Sequence, residues 1–253
     1  MSDQEKSEDL AEMNIFDHLE ELRSVLISLI AVLFAASLFL WFFSGTLMDF
    51  LLEGIPVDGI YFHAPAEAFM TRLKLSFIAG FLISFPFVLF RVWSFISPGL
   101  FSREKKVITP LIVLSTILFY VGVVFAYWIM IPVVLKFLLQ FSTDMLSPLL
   151  SVGEYFSFVG KLCFAFGIVF QLPLVIIFLT STGFVSPWQL LKQWRWVIVI
   201  IFAVCAVLTP PDPASQLLMA VPLVLLFFIS VAVSFLFARR GGRDSKQVES
   251  ESE

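Results

Sequence analysis

Six apolar blocks run through the sequence and restrict the folds that are open to it. The first block, residues 25–43, has about the length that a helix needs to cross a hydrocarbon core of roughly 30 Å. Because lipid offers no hydrogen-bond partners, a crossing segment must satisfy its own backbone groups, as an α-helix does. The sequence therefore predicts an all-α integral membrane protein with six transmembrane helices. The blocks cover residues 25–43, 75–93, 107–135, 155–179, 196–208 and 217–237.

The composition supports the same fold class. Hydrophobic residues make up 59% of the 253 residues and charged residues 14%, whereas soluble domains average about 45–50% apolar and about 25% charged. The two cysteines, Cys163 and Cys205, fall inside apolar blocks. There we expect small packing residues rather than a disulfide or a metal site. The fifth block, residues 196–208, is short for a full crossing.

Sequence motifs of enzymes are missing. The chain contains no phosphate-binding loop, no His-Glu-x-x-His zinc motif and no Gly-x-Ser-x-Gly nucleophile motif. The two histidines, His18 and His63, fall on opposite sides of the membrane in the topology that the charges predict, so they do not share a metal. We therefore expect a protein that is not an enzyme, with no metal or other cofactor and no nucleic-acid partner.

The basic residues predict the orientation of the chain. Six crossings place both termini on one side, and cytoplasmic segments of membrane proteins are enriched in lysine and arginine. With the N-terminus inside, only Arg72, Lys74, Lys136 and Lys161 lie at or near the outer face. We therefore expect both termini in the cytoplasm. The cytoplasmic basic residues are then Lys6, Arg23, Arg91, Arg103, Lys105, Lys106, Lys192, Arg195, Arg239, Arg240, Arg243 and Lys246.

Polar segments divide the chain into a membrane domain, residues 16–237, and two tails. Residues 1–15 are acidic and bury too little apolar surface to order themselves, so we expect a disordered cytoplasmic tail. Residues 238–253 form a second polar cytoplasmic tail. The N-terminal stretch lacks the features of a cleaved secretory signal, so the first block should remain in the mature protein. For the mixed segments 46–71 and 136–154 we expect short amphipathic helices and turns on the outer face.

Prolines predict irregular helices. Those in or near the apolar blocks predict kinks and hence a concave bundle, although kinks are common in membrane proteins and not specific. Ser186-Pro187, before the fifth block, predicts a helix start with Ser as N-cap and Pro in the first position. The kink-forming prolines are Pro86, Pro110, Pro132, Pro173 and Pro222.

Polar residues next to or inside the apolar blocks are the candidates for function. Glu20 and Glu21 stand where the pattern starts the first helix, and carboxylates in a first turn stabilise a helix by about 0.3–1 kcal/mol. Glu104 stands among basic residues whose charge it balances. The alternative is that these carboxylates are a receptor for a basic ligand. Gln171, just before Pro173, fits either a packing hydrogen bond or a functional polar patch.

A series of motifs carries a resemblance that single residues do not. The motifs are His18-Leu19-Glu20-Glu21-Leu22-Arg23, residues 93–100 leading to 103–106, Phe119-Tyr120 through Phe125-Ala126-Tyr127, Ala165-Phe166-Gly167 through residues 170–173, and residues 208–212 with Ser215-Gln216. Each is weak alone, but together and in order they are specific. The chain resembles the TatC family, the multi-spanning receptor subunit of the twin-arginine protein translocase. The resemblance covers about residues 16–237.

This resemblance implies a function. TatC proteins bind twin-arginine signal peptides on folded cargo. With single-span TatA- and TatB-type partners they mediate export across the bacterial cytoplasmic (inner) membrane, driven by the proton-motive force. The carboxylates that contact the arginine pair in the family map onto Glu21 and Glu104, with Glu20, Arg23 and Phe95 beside them.

The resemblance also implies contacts elsewhere in the chain. It implies an intramembrane contact with a partner helix at Gln171 and Pro173, and a periplasmic turn at Pro210 and Asp212. It further implies self-association in a larger complex and contact with membrane lipid. Family members often carry Glu where this chain has Gln171, and glutamine hydrogen-bonds but does not titrate. This argues against a mechanism that needs a titrating carboxylate at that position.

Two other classes of function compete with the translocase interpretation. A secondary transporter of a small solute typically has a charged or discontinuous-helix site near the middle of the membrane, and usually more spans. Only Gln171 stands there in this sequence. An intramembrane enzyme is disfavoured by the missing motifs.

Overall fold

The fold is almost wholly helical. In the computed structural model, the described backbone comprises residues 3–53, 60–96, 105–141, 150–181, 183–208 and 212–250, and the described side chains lie within 19–53, 61–95, 110–141, 151–181, 183–208 and 212–236. The helices are α1 (Asp3–Trp41), α2 (Ser44–Leu52), α3 (Pro65–Ile96), α4 (Lys105–Phe125), a π-helical turn (Ala126–Met130), α5 (Ile131–Leu139), α6 (Val152–Val169), α7 (Leu172–Ser181), α8 (Pro187–Lys192), α9 (Trp194–Leu208) and α10 (Pro213–Ser250). Two short strands, β1 (Ile60–Tyr61) and β2 (Leu150–Ser151), complete the described elements.

The predicted fold class is confirmed. Five segments of the described chain are long and apolar enough to cross a membrane. The remaining apolar helix, α9, has 15 residues and is therefore about 22 Å long, shorter than a hydrocarbon core of roughly 30 Å. The five long segments are Leu19–Trp41, Pro65–Phe95, Pro110–Leu139, Val152–Ser181 and Pro213–Leu236.

The helices extend further than the apolar blocks. Helix α1 begins at Asp3, whereas the composition predicts disorder for residues 1–15. The sequence has no Gly or Pro before Gly45, so nothing in it stops the helix from continuing outwards from the membrane span. At the other end of the chain, α10 continues to Ser250.

Two of the predicted proline kinks coincide with breaks in helical geometry. The π-helical turn ends at Met130, two residues before Pro132. A proline ring clashes with the carbonyl four residues before it, and a wider turn relieves this clash. The fourth span is divided into α6 and α7 near Pro173. By contrast, Pro86, Pro110 and Pro222 lie inside helices that continue through them.

The chain forms two compact units, and each has its own packing. The first comprises residues 1–53 and 69–116, and the second comprises residues 54–68 and 117–253. In the first, α1 and α3 approach closely, since a Cβ added at Gly80 would lie 2.8 Å from the backbone nitrogen of Ser37. In the second, α10 packs against α5, α7, α8 and α9. Side chains with almost no exposed surface form its core, among them Phe119, Phe156, Phe166, Met219, Leu223 and Phe227.

The two mixed segments contain more than the expected short helices and turns. Helix α2 is such a short helix. The strands are a difference from the prediction: β1 pairs in parallel with β2, with Ile60 opposite Leu150 and Tyr61 opposite Ser151. Two residues per strand are too few for a sequence pattern to reveal.

Candidate functional site

The predicted carboxylates lie in the middle of a helix. Glu20 and Glu21 are about five turns from the start of α1 at Asp3. The interpretation that they stabilise a first turn is therefore wrong, because the effect of the helix dipole falls off within that turn. Their position at the start of the apolar segment Leu19–Trp41 needs another explanation.

The two glutamates differ in their surroundings. Glu21 is half-buried and shares a helix face with Val25, which is 8% exposed. Glu20 is exposed, and so is Arg23, the residue of the same motif one turn further on. Of the two carboxylates, Glu21 is thus the one on the protein-facing side of α1.

The C-terminal end of α3 carries aromatic and basic side chains. Phe95 is half-buried in the last turn of α3. One turn earlier, the guanidinium carbon of Arg91 lies 5.6 Å from the centre of the Phe87 ring. The Nε atom of Arg91 is buried and makes no hydrogen bond within the described part of the chain. In the sequence, Arg91 stands out only as a cation near the end of an apolar block. Glu104 lies outside the described residues.

The intramembrane polar site lies at a helix break. Pro173 has no N–H group to donate to the carbonyl of Val169, and α6 ends at that residue. The chain turns through Phe170 and Gln171, and the carbonyl of Gln171 accepts hydrogen bonds from the N–H groups of Leu174 and Val175, both at 3.0 Å. The side chain of Gln171 is half-buried. Irregular backbone at membrane depth is tolerated only where it is buried in protein or lines a cavity, so this break is expected to face other helices.

Two of the motifs behind the family resemblance pack directly against each other. A Cβ added at Gly122 of α4 would lie 2.6 Å from the carbonyl oxygen of Phe166 on α6. A Cβ added at Gly167 would lie 2.5 Å from Cε2 of Phe119. Small residues let helix backbones approach closely in membranes. These two glycines therefore fix the contact between the third and fourth spans.

An aromatic cluster continues this contact towards the helix break. The Phe125 ring centre lies 5.6 Å from that of Phe166 and 5.5 Å from that of Phe170. Phe170 directly precedes Gln171. The cluster therefore ties the break in the fourth span to the third span.

The predicted outer turn contains the cap of the last helix. Asp212 precedes α10, and its Oδ2 accepts a hydrogen bond from the N–H of Ser215 at 2.7 Å. With Pro213 in the first helical position, this is the expected geometry of an N-cap. Gln216 Nε2 donates to the carbonyl of Phe202 at 2.8 Å and joins α10 to α9. Pro210 lies outside the described residues.

Glu67 is a polar centre that the sequence prediction missed. It lies in the first turn of α3, and its carboxylate accepts hydrogen bonds from the N–H of His63 at 2.6 Å and the N–H of Gly153 at 2.9 Å. The hydroxyl of Ser151 donates to the same carboxylate. Since Gly153 is in the first turn of α6, Glu67 caps a helix from a distant part of the chain and secures the β1–β2 pair.

The chain matches a known protein family over most of its length. The model of the family described as Sec-independent protein translocase protein (TatC) matches residues 17–222. The chain belongs to the TatC family. Its relatives include the Sec-independent protein translocase protein TatC of Carboxydothermus hydrogenoformans, 37% identical over 227 residues that cover 88% of this chain and 93% of the relative. The TatC protein of Aquifex aeolicus is 38% identical over 234 residues, covering 90% of this chain and 97% of that relative.

A solved TatC structure has the same fold. The structure described as the twin arginine translocase receptor TatC aligns with a TM-score of 0.80 at 39% identity, over 87% of this chain and 98% of that chain. A second crystal structure of this receptor, in the detergent DDM, aligns equally well at 38% identity. TatC membership favours the protein-translocase interpretation over a transporter of small solutes.

The hydrogen bonds of Glu67 to Ser151 and Gly153 should stabilise the folded chain. We expect Glu67→Gln to lower the apparent unfolding temperature in detergent, because the amide nitrogen that replaces one carboxylate oxygen cannot accept a hydrogen bond. Glu154→Gln is a matched control, since Glu154 is an exposed residue in the first turn of α6. An equal change in the unfolding temperature of both variants would contradict a stabilising role for the Glu67 hydrogen bonds.

Proposed function

We propose that this TatC-family chain is the receptor and core subunit of a twin-arginine translocase, and that Glu21 and Glu104 bind the arginine pair of the signal peptide. The observation that carries the proposal is the position of Glu21, a half-buried carboxylate in the first turn of the apolar segment Leu19–Trp41. Glu20, Arg23 and Phe95 are the proposed neighbours of this site. Solved relatives described as twin arginine translocase receptors support the assignment.

The chemistry of arginine suits a pair of carboxylates. A guanidinium group is always charged and presents a planar fork that a carboxylate matches with two hydrogen bonds, which lysine cannot do. Hydrogen bonds to charged groups contribute about 1.5–3 kcal/mol each. Two such sites would give several kcal/mol of preference for an arginine pair. The apolar part of the signal peptide would add affinity through contact with the spans.

The topology and partners are part of the same proposal. The chain resides in the bacterial inner membrane. Both termini lie in the cytoplasm, since this orientation keeps most basic residues inside. Single-span TatA- and TatB-type subunits are the partners, and export of folded cargo is driven by the proton-motive force. Gln171 and Pro173 provide the polar contact for a partner helix, Asp212 and Pro210 form the periplasmic turn, and the chain self-associates in a larger complex.

Crosslinking tests the receptor assignment. A twin-arginine signal peptide with a photoreactive group next to the arginine pair is added to membranes that contain the wild-type chain, Glu21→Ala or Glu104→Ala. We expect strong crosslinking to the wild type and a large loss in each variant. A peptide with a lysine pair should crosslink as weakly as the variants do.

The results separate two kinds of error. Equal crosslinking of the wild type and both variants would show that the site assignment is wrong. Absence of any crosslink to a folded, membrane-inserted wild type would overturn the receptor function itself.

The short helix α9 suggests how cargo passage is assisted. A hydrophobic segment shorter than the bilayer thins it locally. We expect that four leucines inserted into α9 reduce export while signal-peptide crosslinking persists. Four residues add slightly more than one turn, so the helix gains about 6 Å and keeps nearly the same faces.

The matched control is four leucines inserted into α10, whose apolar segment Pro213–Leu236 already has 24 residues. Export is measured with a folded twin-arginine cargo in whole cells. Unchanged export by the α9 insertion, or an equal loss in both insertions, would count against thinning.

A further inference from the structure

A groove between α1 and α3 lies apart from the proposed peptide site. It is formed within the first unit and encloses about 260 Å³. Its nearest wall residue on α1 is about 20 Å along the helix axis from Glu21. Helix α1 contributes Phe34, Leu38 and Trp41 to the walls, and α3 contributes Phe69, Leu73 and Phe77.

Two contacts hold α1 and α3 together along the groove. At Ser37 and Gly80 the helices approach so closely that a Cβ on the glycine would lie within 3 Å of the serine backbone. Towards the end of α1, the rings of Trp41 and Phe69 meet edge-on with their centres 5.5 Å apart. Phe34 and Leu38 are more than half exposed, so the groove opens to the lipid-facing surface.

The serine hydroxyls in the walls already have hydrogen-bond partners and do not need water. Ser37 Oγ donates to the carbonyl of Leu33 at 2.7 Å, and Ser76 Oγ donates to the carbonyl of Arg72 at 2.8 Å. Both are thus satisfied within their own helices. An apolar cavity without unsatisfied polar groups stays dry and binds apolar ligands.

The size of the groove limits which apolar molecules it can bind. Its 260 Å³ exceeds the roughly 150 Å³ of an apolar cavity that binds benzene. It extends over the two turns from Phe34 to Trp41, about 10 Å. Because the groove is short, narrow in volume and apolar, it suits one segment of a hydrocarbon chain.

Basic residues next to the α3 wall favour a particular lipid. Arg72 and Lys74 are exposed on the α3 segment that forms the wall. The wall segments 34–41 and 69–77 contain no acidic residue. Trp41 has the amphipathic ring that is enriched at membrane–water interfaces, where phosphate headgroups lie. Basic side chains at that depth attract anionic headgroups.

We propose that the groove binds one acyl chain of an anionic phospholipid, with the lipid phosphate held by Arg72 and Lys74. The lipid then fills the space between the first two spans along residues 34–41 and 69–77. This site is independent of the carboxylates that bind the signal peptide, so its test does not depend on peptide binding.

Photolabelling tests the proposal. The purified full-length chain is reconstituted in liposomes with phosphatidylglycerol that carries a diazirine on its acyl chain, and labelled peptides are mapped by mass spectrometry. We expect labelling of residues 34–41 and 69–77 to exceed that of other lipid-facing segments several-fold. Leu38→Trp, which fills the groove, should remove this excess. Phe39→Trp is the matched control, because Phe39 is 63% exposed on the same helix and does not line the groove.

The headgroup is tested in the same way. We expect a phosphatidylcholine probe to label the groove several-fold less than phosphatidylglycerol, and Arg72→Gln to remove that difference while Lys136→Gln preserves it.

Labelling spread evenly over lipid-facing segments, or unaffected by Leu38→Trp, would overturn the acyl-chain site. If Leu38→Trp does not fold, Leu73→Trp replaces it. Labelling that occurs in liposomes but is lost in native membranes would show that a protein occupies the groove and would likewise overturn the proposal.

Discussion

Gly122→Leu is expected to abolish stable folding of this protein. The new Cβ would lie 2.6 Å from the carbonyl oxygen of Phe166 and 2.8 Å from Cγ of Phe170. The first is a backbone atom of a fully buried residue, so it cannot move aside as a flexible side chain would. Overpacking a well-packed core costs about 1–3 kcal/mol and sometimes more, and the leucine side chain adds further atoms beyond the Cβ. The helices α4 and α6 would have to separate.

The measurement is size-exclusion chromatography in detergent, combined with an apparent unfolding temperature. We expect Gly122→Leu to appear as aggregate, or to unfold at a much lower temperature than the wild type. Gly45→Ala is the matched control, because nothing lies within 4 Å of a Cβ there. Alanine favours a helix more than glycine does, so this control should be neutral or slightly more stable. A monodisperse Gly122→Leu protein with wild-type stability would contradict the close helix contact.

The fold could largely be predicted from the sequence because lipid enforces a simple rule. A crossing segment must be apolar and about 20 residues long, and five blocks meet that requirement. The helix ends could not be read in the same way. Outside the membrane, helices stop only at breakers or caps, and the polar stretch before Glu20 contains no Gly or Pro. The helix start predicted at Ser186-Pro187 is confirmed, because the partners of this N-cap are local in sequence. The N–H of Trp188 donates to Ser186 Oγ at 3.2 Å, and the N–H of Ser186 donates to Gln189 Oε1 at 2.9 Å.

Contacts between distant residues explain what the sequence did not reveal. Glu67 binds the N–H of Gly153, 86 positions along the chain, and no local pattern marks such a pair. The same holds for Gly122 and Phe166, although both lie in motifs that carried the family resemblance. For the candidate site, Glu20 and Glu21 are adjacent and the sequence does not distinguish them. In the structure, Glu21 shares a helix face with the buried Val25, whereas Glu20 is exposed.

A double-mutant cycle between Glu21 and the signal peptide is expected to show strong coupling. Glu21→Gln removes the negative charge and one acceptor but keeps the size of the side chain. Because hydrogen bonds to charged groups contribute about 1.5–3 kcal/mol, and a factor of ten in affinity corresponds to about 1.4 kcal/mol, Kd for a twin-arginine peptide should rise about 10–100-fold. For a peptide whose arginines are replaced by glutamine, the same substitution should have little effect. The difference between these two effects is the coupling free energy.

The control for this cycle is Glu20→Gln, which removes an identical charge from the adjacent exposed position of α1. Affinities are measured with a fluorescent peptide and the detergent-solubilised protein at two salt concentrations. The exposed carboxylate acts mainly through long-range attraction, so any effect of Glu20→Gln should shrink at high salt, whereas a half-buried pair at Glu21 is screened less. Equal coupling of Glu20 and Glu21 to the arginines would mean that bulk charge attracts the peptide. Strong coupling confined to Glu21 would mean that one carboxylate on the protein-facing side of α1 recognises an arginine by direct contact.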